Sequence, residues 1–182
     1  MNVFLRAFEP DDLQLINKWH NDDDINSLTC GSRYFVSSIY DKKWLEDKML
    51  NNSKNVYCAI CEKETGNMVG YVSLNDIDYR NSKAAWGGII IGNEQNRNKG
   101  YASNATFLIL QYAFEELGLN KVTGYWLESH KASLLIGQMF GFKKEGMLRQ
   151  EVFKNGVFND VVVMSMLKEE YNLMKENYRG AQ

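Results

Sequence analysis

Apolar positions along the chain switch between a period of two and a period near 3.6, so strands and helices interleave. The pattern predicts a strand over 3–7 and then a helix opened by Pro10. Asp11 and Asp12 suit its first turn, and Leu13, Leu15, Ile16 and Trp19 form its apolar face. A polar stretch over 21–26 follows, then a second helix over 38–50 spaced by Tyr40, Trp44, Leu45 and Met49. Segments 55–62 and 68–76 flank Thr65-Gly66-Asn67 and read as an antiparallel hairpin, with another strand over 84–92. The longest helix spans 100–117 and stops at Gly118, a residue suited to the left-handed position after a helix. A fifth strand over 121–127 precedes a helix over 132–140 closed by Gly141. Strands over 142–153 and 157–166 meet at Lys154-Asn155-Gly156, whose Asn-Gly is a strong hairpin signal. A polar helix is expected from Lys168 onward. The order, βααβββαβαββ with a closing helix, is that of a mixed α/β (α+β) fold.

Composition narrows the class. The 182 residues suit one domain, expected over 1–182 with the closing helix and tail from 168. A single proline and the lack of any linker-like tract agree with this. The net charge of −2 leaves no basic stripe, so no nucleic-acid partner is expected. No apolar run approaches ~18 residues, and the first residues lack a secretion-signal layout, so a cytoplasmic protein with no membrane partner is expected. Three cysteines, an odd count, fit a reducing compartment. Cys58-Ala59-Ile60-Cys61 spells C-x-x-C, but within a strand positions three apart point to opposite faces, and no metal site is expected. Asp22-Asp23-Asp24 reads as a solvated loop or helix start, with cation binding as the alternative.

The segment richest in chemistry begins at Trp86-Gly87-Gly88-Ile89-Ile90-Ile91-Gly92 and ends at Gly100-Tyr101-Ala102. A buried strand gives way to a polar turn, and a long helix starts at a glycine. Backbone N–H groups at a helix start are unpaired and carry partial positive charge, so they attract phosphate. Gly100 and Ala102 keep that backbone accessible, while Arg97 and Lys99 add counter-charge. A plain strand-to-helix turn fits these six residues equally well on their own. Neither G-x-x-x-x-G-K-[ST] nor G-x-G-x-x-G occurs, so nucleotide hydrolysis and dinucleotide redox chemistry have no support.

Arg97-x-x-Gly100-x-Ala102 resembles the [Q/R]-x-x-G-x-[G/A] signature of the GNAT acetyltransferase superfamily. His130-Lys131-Ala132-Ser133 followed by Gly141-Phe142-Lys143-Lys144-Glu145-Gly146 resembles a second block of that family, as does the stretch from Phe153 to Tyr171. Lys18-Trp19-His20-Asn21-Asp22 is similar to members acting on aminosugar nucleotides and ribosomal proteins; the branch also holds spermidine acetyltransferases. The resemblance implies a central, mostly antiparallel twisted sheet, flanked by helices and splayed between its fourth and fifth strands. The pantetheine arm of acetyl-coenzyme A, the cosubstrate, would lie in that gap. Main-chain groups of Ile89, Ile90 and Ile91 would face it, and Arg97, Asn98, Lys99, Gly100, Tyr101 and Ala102 would wrap the pyrophosphate. His130 and Ser133 would flank the coenzyme's far side. A homodimer is a further expectation of the resemblance.

The implied reaction is direct attack of a neutral amine on the thioester. An alkylamine titrates near ~10 and the leaving thiol near ~8.5, so both ends of the reaction involve a proton. Many relatives supply the acid from a tyrosine four residues after the [A/S] position, but here that residue is Gly137. Tyr125, on the fifth strand, is the candidate substitute, its alternative being a packed strand aromatic. Ser73, on the strand expected to face the acceptor, is the other catalytic candidate, again with a structural alternative. The leading expectation is an N-acetyltransferase for a small-molecule amine or aminosugar nucleotide. Protein N-termini are an alternative acceptor, as are polyamines, for which Asp22 to Asp24, Asp76 and Asp78 offer carboxylates. Of other classes, a coenzyme-binding domain without catalysis and a plain interaction module remain.

Overall fold

The computed structural model describes residues 1–31, 35–51 and 53–180, the side chains at 179 and 180 excepted. The last two residues of the expected tail lie outside it. Among the described residues, seven strands form one sheet: β1 (Val3–Ala7), β2 (Val56–Glu62), β3 (Met68–Asp78), β4 (Lys83–Ile91), β5 (Lys121–Leu127), β6 (Lys143–Lys154) and β7 (Val157–Leu167). Their order is β1-β2-β3-β4-β5-β7-β6, and every pair is antiparallel except β4 with β5. Helices α1 (Leu13–His20), α2 (Asp23–Leu28), α3 (Ser38–Leu50), α4 (Tyr101–Gln111), α5 (Lys131–Met139) and α6 (Lys168–Gly180) flank it.

The turn chemistry acts where expected. The β6–β7 loop is Asn155-Gly156, both with positive φ (52° and 80°), which matches the right-handed twist of the strands it joins. The expected polar stretch over 21–26 is partly helical instead. The Asp22 carboxylate caps α2 by accepting from the Ile25 N–H at 3.0 Å, and Ile25 is buried. Six residues with one buried side chain carry too short a period to read, so the acidic run is a helix start.

Apolar side chains collect on both faces of the sheet. One cluster holds Val72, Leu74, Phe107, Leu110, Phe114, Met164 and Tyr171, joining α4 and α6 to the sheet. The other holds Phe8, Ile16, Trp19, Ile25 and Leu45, joining α1 to α3 to the opposite face. Cys58 packs against the first cluster and Cys61 lies within the second, so the strand sends the two sulfurs apart. Burial in apolar surroundings pushes the Cys58 thiol up to about 11.

β4 and β5 part company early. They pair only from Lys83–Lys121 to Ala85–Thr123. A bulge then places Gly87 opposite no partner on β3, because Leu74 pairs with Trp86 while Ser73 pairs with Gly88. A side chain at Gly87 would collide with Ser73 Oγ at 2.2 Å and Asn75 Nδ2 at 2.4 Å, so the bulge requires glycine. The wedge is filled at its base by Trp86 and Trp126, whose rings meet edge to face at 5.3 Å. The sheet is therefore open beyond them, as the resemblance implied.

Candidate active site

The opening between β4 and β5 leads into a cavity of about 1070 Å³. One half is walled by Ile89, Ile90, Ile91, Arg97, Asn98 and the start of α4. Asn98 and Gly100 adopt left-handed φ values of 62° and 76°, which turns the chain sharply into α4. Among the described residues no side-chain cap hydrogen bond is made at this helix start, which lines the cavity, so its first N–H groups are open to a ligand. A Cβ on Gly100 would meet nothing within 4 Å. Glycine is needed there for backbone conformation, and the space in front suits a phosphate. Lys99 departs from expectation: it does not line the cavity, its ammonium lies over the Tyr101 ring at 5.8 Å, and its carbonyl accepts from Asn2. Tyr101 donates to Glu62, fixing the helix start to β2.

The strand edge supplies further polar groups. Beyond Ala85, β4 is paired on its β3 side only. Buried Asn75 Oδ1 and Trp86 Nε1 have no partner among the described residues, and both residues line the cavity. A long ligand rich in amides and phosphates fits such a wall.

The other half is built from side chains. His20, at the end of α1, and Tyr71, on β3, line it together with Asn26, Thr29, Cys30, Gly31 and Asp76. His20 Nδ1 lies 2.7 Å from Asp41 Oδ1, and its Nε2 lies 3.1 Å from the Tyr71 hydroxyl. Asp41, on α3, is fully buried, and its second oxygen accepts from Asn17 Nδ2 at 2.7 Å. Burial, together with the nearby Tyr57 and Asp41, pushes the Tyr71 phenol well above its ordinary value. The segment after α2 is tied down from three sides. Lys154 donates to the carbonyls of Asn26 and Gly31 (2.6 Å to the latter), His130 Nδ1 donates to the Leu28 carbonyl at 3.2 Å, and Cys30 Sγ contacts the Tyr125 carbonyl at 3.7 Å. Burial lowers the Lys154 ammonium and raises the Cys30 thiol.

Residues 2–143 match the family model described as the acetyltransferase (GNAT) domain. The chain belongs to the GNAT acetyltransferase family. Spermidine N(1)-acetyltransferase of Vibrio cholerae is 29% identical over 92% of this chain and 94% of that protein. An N-acetyltransferase of Bacillus subtilis, the SPbeta prophage-derived uncharacterized YokL, is 27% identical over 94% of this chain and 93% of its own length. The crystal structure of spermidine N-acetyltransferase from Vibrio cholerae in complex with CoA and spermine superposes with a TM-score of 0.86 at 27% identity, covering 94% and 98% of the two chains. This GNAT chain is thus an N-acetyltransferase, and acetyl-coenzyme A is the acyl donor its family uses.

The GNAT fold brings together most of the residues singled out in the sequence. Ile89 to Ile91, Arg97, Asn98, Gly100, Tyr101, Ala102, Tyr125, His130 and Ser133 all line the one cavity. Ser73 does not. It is buried at 2% exposure, with its hydroxyl against Gly87 rather than in the cavity. The bulge that Gly87 makes, invisible in the sequence pattern, turns β4 over it. Among the carboxylates considered for a polyamine, Asp76 lines the cavity, whereas Asp22 caps a helix and Asp78 binds Asn81. Gly137 is closed off: a Cβ there would stand 2.9 Å from Met164 Cε and 3.4 Å from Trp126 Cζ2. Trp126 also lies over Gly124, so two glycines make room for one indole. His20, Tyr71 and Asp41 escaped the residue-level search. One signal existed, since Asp41 stands four residues before Leu45, a carboxylate on the buried stripe of α3.

Proposed function

We propose that this GNAT chain moves an acetyl group from acetyl-coenzyme A directly to the primary amine of a small molecule. The observation that carries the reading is one continuous cavity with a main-chain half at the α4 start and a side-chain half at His20, Tyr71 and Asp76. In this reading Arg97 to Ala102, Lys99 excepted, hold the pyrophosphate through N–H groups and the Arg97 charge. Ile89 to Ile91 hold the pantetheine along the free edge of β4, and His130 and Ser133 border it from the α5 side. A main-chain N–H of β4 next to the bulge stabilises the oxyanion, since it is fixed before the reaction starts. Tyr125, 50% exposed on the cavity's β5 side, offers its phenol to the leaving thiolate in place of the missing tyrosine.

Spermidine and spermine are the first acceptors to try, because the relatives act on or hold polyamines and Asp76 gives a cationic chain one carboxylate. Aminosugar nucleotides and peptide N-termini complete the panel. The test is calorimetric titration of acetyl-coenzyme A into the intact chain and into Gly100→Glu, followed by the amine panel. The glutamate brings a negative charge and a side chain into a left-handed position facing the phosphate space. Micromolar binding lost in the variant, with turnover of at least one amine by the intact chain, is the expected result. Binding without turnover of any amine would leave a coenzyme-binding domain and end the transfer reading.

A further inference from the structure

Asp41, His20 and Tyr71 form a chain of hydrogen bonds that leads from a fully buried carboxylate to the acceptor half of the cavity. Its direction follows from its ends. Asn17 Nδ2 donates to the Val36 carbonyl at 3.0 Å, which fixes the amide's orientation, so the 2.7 Å contact with Asp41 Oδ2 is donated by Asn17. Asp41 therefore accepts through both oxygens, and His20 carries its hydrogen on Nδ1. Nε2 is left as an acceptor, and the Tyr71 hydroxyl donates to it at 3.1 Å. Trp44 stands edge-on to the imidazole at 5.0 Å and holds the ring from its α3 side. The His20 side chain retains 18% exposure, toward the cavity.

Register sets this chain beside the donor. Tyr71 pairs across the ladder with Ile90, whose main chain borders the gap between β4 and β5. A buried Asp–His–Tyr series has a simpler role in holding α1 to α3 and β3. Yet a purely structural contact does not require an imidazole nitrogen and a phenol at the wall of the cavity where the amine must lie.

Resting on the transfer reading above, we infer that Tyr71 and His20 take up the proton that the amine loses. As the amine nitrogen attacks the thioester carbonyl, a C–N bond forms. The nitrogen's surplus proton passes to the Tyr71 oxygen while the Tyr71 hydroxyl proton passes to His20 Nε2. The resulting imidazolium keeps its Nδ1–H on the Asp41 carboxylate, 2.7 Å away. Collapse of the tetrahedral intermediate breaks the C–S bond, and the coenzyme thiolate takes up one proton on release. Return of the His20 proton to solvent supplies that proton in net balance, so amine and thioester become amide and thiol.

The test compares initial rates on the amine panel for the intact chain, His20→Gln, His20→Ala and Tyr71→Phe, with acetyl-coenzyme A affinity measured by calorimetry and folding by circular dichroism. Glutamine keeps a donor for Asp41 but accepts no proton, so it separates scaffold from base. The expected result is a fall in kcat of about a hundredfold in both His20 variants, within the usual range for a lost proton acceptor. The coenzyme Kd should stay within about twofold, and free imidazole should restore part of the His20→Ala rate. Loss of the Tyr71 hydroxyl should lower kcat by about tenfold or more. Folded His20 variants that retain kcat, or a His20→Gln that matches the intact chain, would overturn the relay and leave acetyl transfer standing. An intact chain that binds the coenzyme but acetylates nothing would overturn both.

Discussion

The two halves of the cavity are made by different means. The half proposed for the coenzyme uses main chain: the N–H groups at the start of α4, the unpaired edge of β4 and a glycine bulge, all within residues 86–103. The half proposed for the acceptor uses side chains from α1, β3 and the loop after α2, and one of its ties joins residues 128 positions apart. A main-chain site needs a local conformation, and only glycine or a small residue at two or three positions records it. A side-chain site needs buried polar bonds between distant elements, and each of those can be removed singly. Substitutions in the acceptor half should therefore be separable from donor binding.

Asp41 tests that separation most severely. Asp41→Ala would leave the His20 ring and the Asn17 amide without their shared acceptor in a site with no exposure to water. Removing one member of a buried charged network destabilises by about 3 kcal/mol or more. Urea denaturation should show this loss, while the fraction that remains folded binds acetyl-coenzyme A with a Kd within about twofold of the intact chain. An equal collapse of coenzyme affinity in the folded fraction would erase the distinction between the halves.

The same contrast explains what was legible in the sequence. Six strands were visible because each alternates or runs apolar between turn residues, β6 was visible through its Asn155-Gly156 hairpin with β7, and the loop proposed for the coenzyme was visible because Arg97, Gly100 and Ala102 sit within six positions. The splay followed from resemblance; its cause, the Gly87 bulge and the Trp86–Trp126 wedge, is a matter of packing. Ser73 was misplaced for that reason, since strand periodicity gives the face of a residue but not whether a bulge covers it. Gly137 stands where the resemblance places a tyrosine acid, and packing adds that it leaves room for Trp126. The Asp41–His20–Tyr71 chain joins residues 21 and 51 positions apart, and no single-sequence period connects them.

Lys154 sharpens the comparison at smaller amplitude. Its ammonium, 8% exposed as a residue, donates to the carbonyls of Asn26 and Gly31 and so holds the loop after α2 against the β6–β7 hairpin. Lys154→Met keeps an unbranched apolar stem and removes the donor. Two carbonyls left short of a partner should lower stability by about 1–2 kcal/mol. The apparent KM for the amine should rise by roughly tenfold, equivalent to ~1.4 kcal/mol of binding, while the coenzyme Kd stays within about twofold. Initial-rate kinetics read the first effect and calorimetry the second. A rise confined to the coenzyme Kd would reverse the assignment of the two halves.

The smallest expected effect lies behind the coenzyme half. The turn of π-helix at Tyr112–Glu116 continues α4, and its Glu115 accepts from Lys175 and, at 2.5 Å, from the Tyr171 hydroxyl of α6. Those partners, Lys175 foremost, hold the Glu115 carboxyl down to about 2. A folded pKa below the ordinary 4.5 means that the carboxylate's contribution is fully present above pH 4.5 and is lost as pH falls through that value toward 2. Solvent reaches 30% of the side chain, so screening reduces the contribution to about 1 kcal/mol. Glu115→Gln should therefore be less stable than the intact chain by about that amount at pH 7, with the difference shrinking to nothing near pH 2. Coenzyme affinity at pH 7 should stay within about twofold, because the Glu115 ties lie beyond the far end of α4, whereas its start is turned by the left-handed residues Asn98 and Gly100. If the Glu115→Gln substitution weakened coenzyme binding in proportion to stability, the main-chain site would depend on a distant side-chain tie after all, and the two halves would differ in degree only.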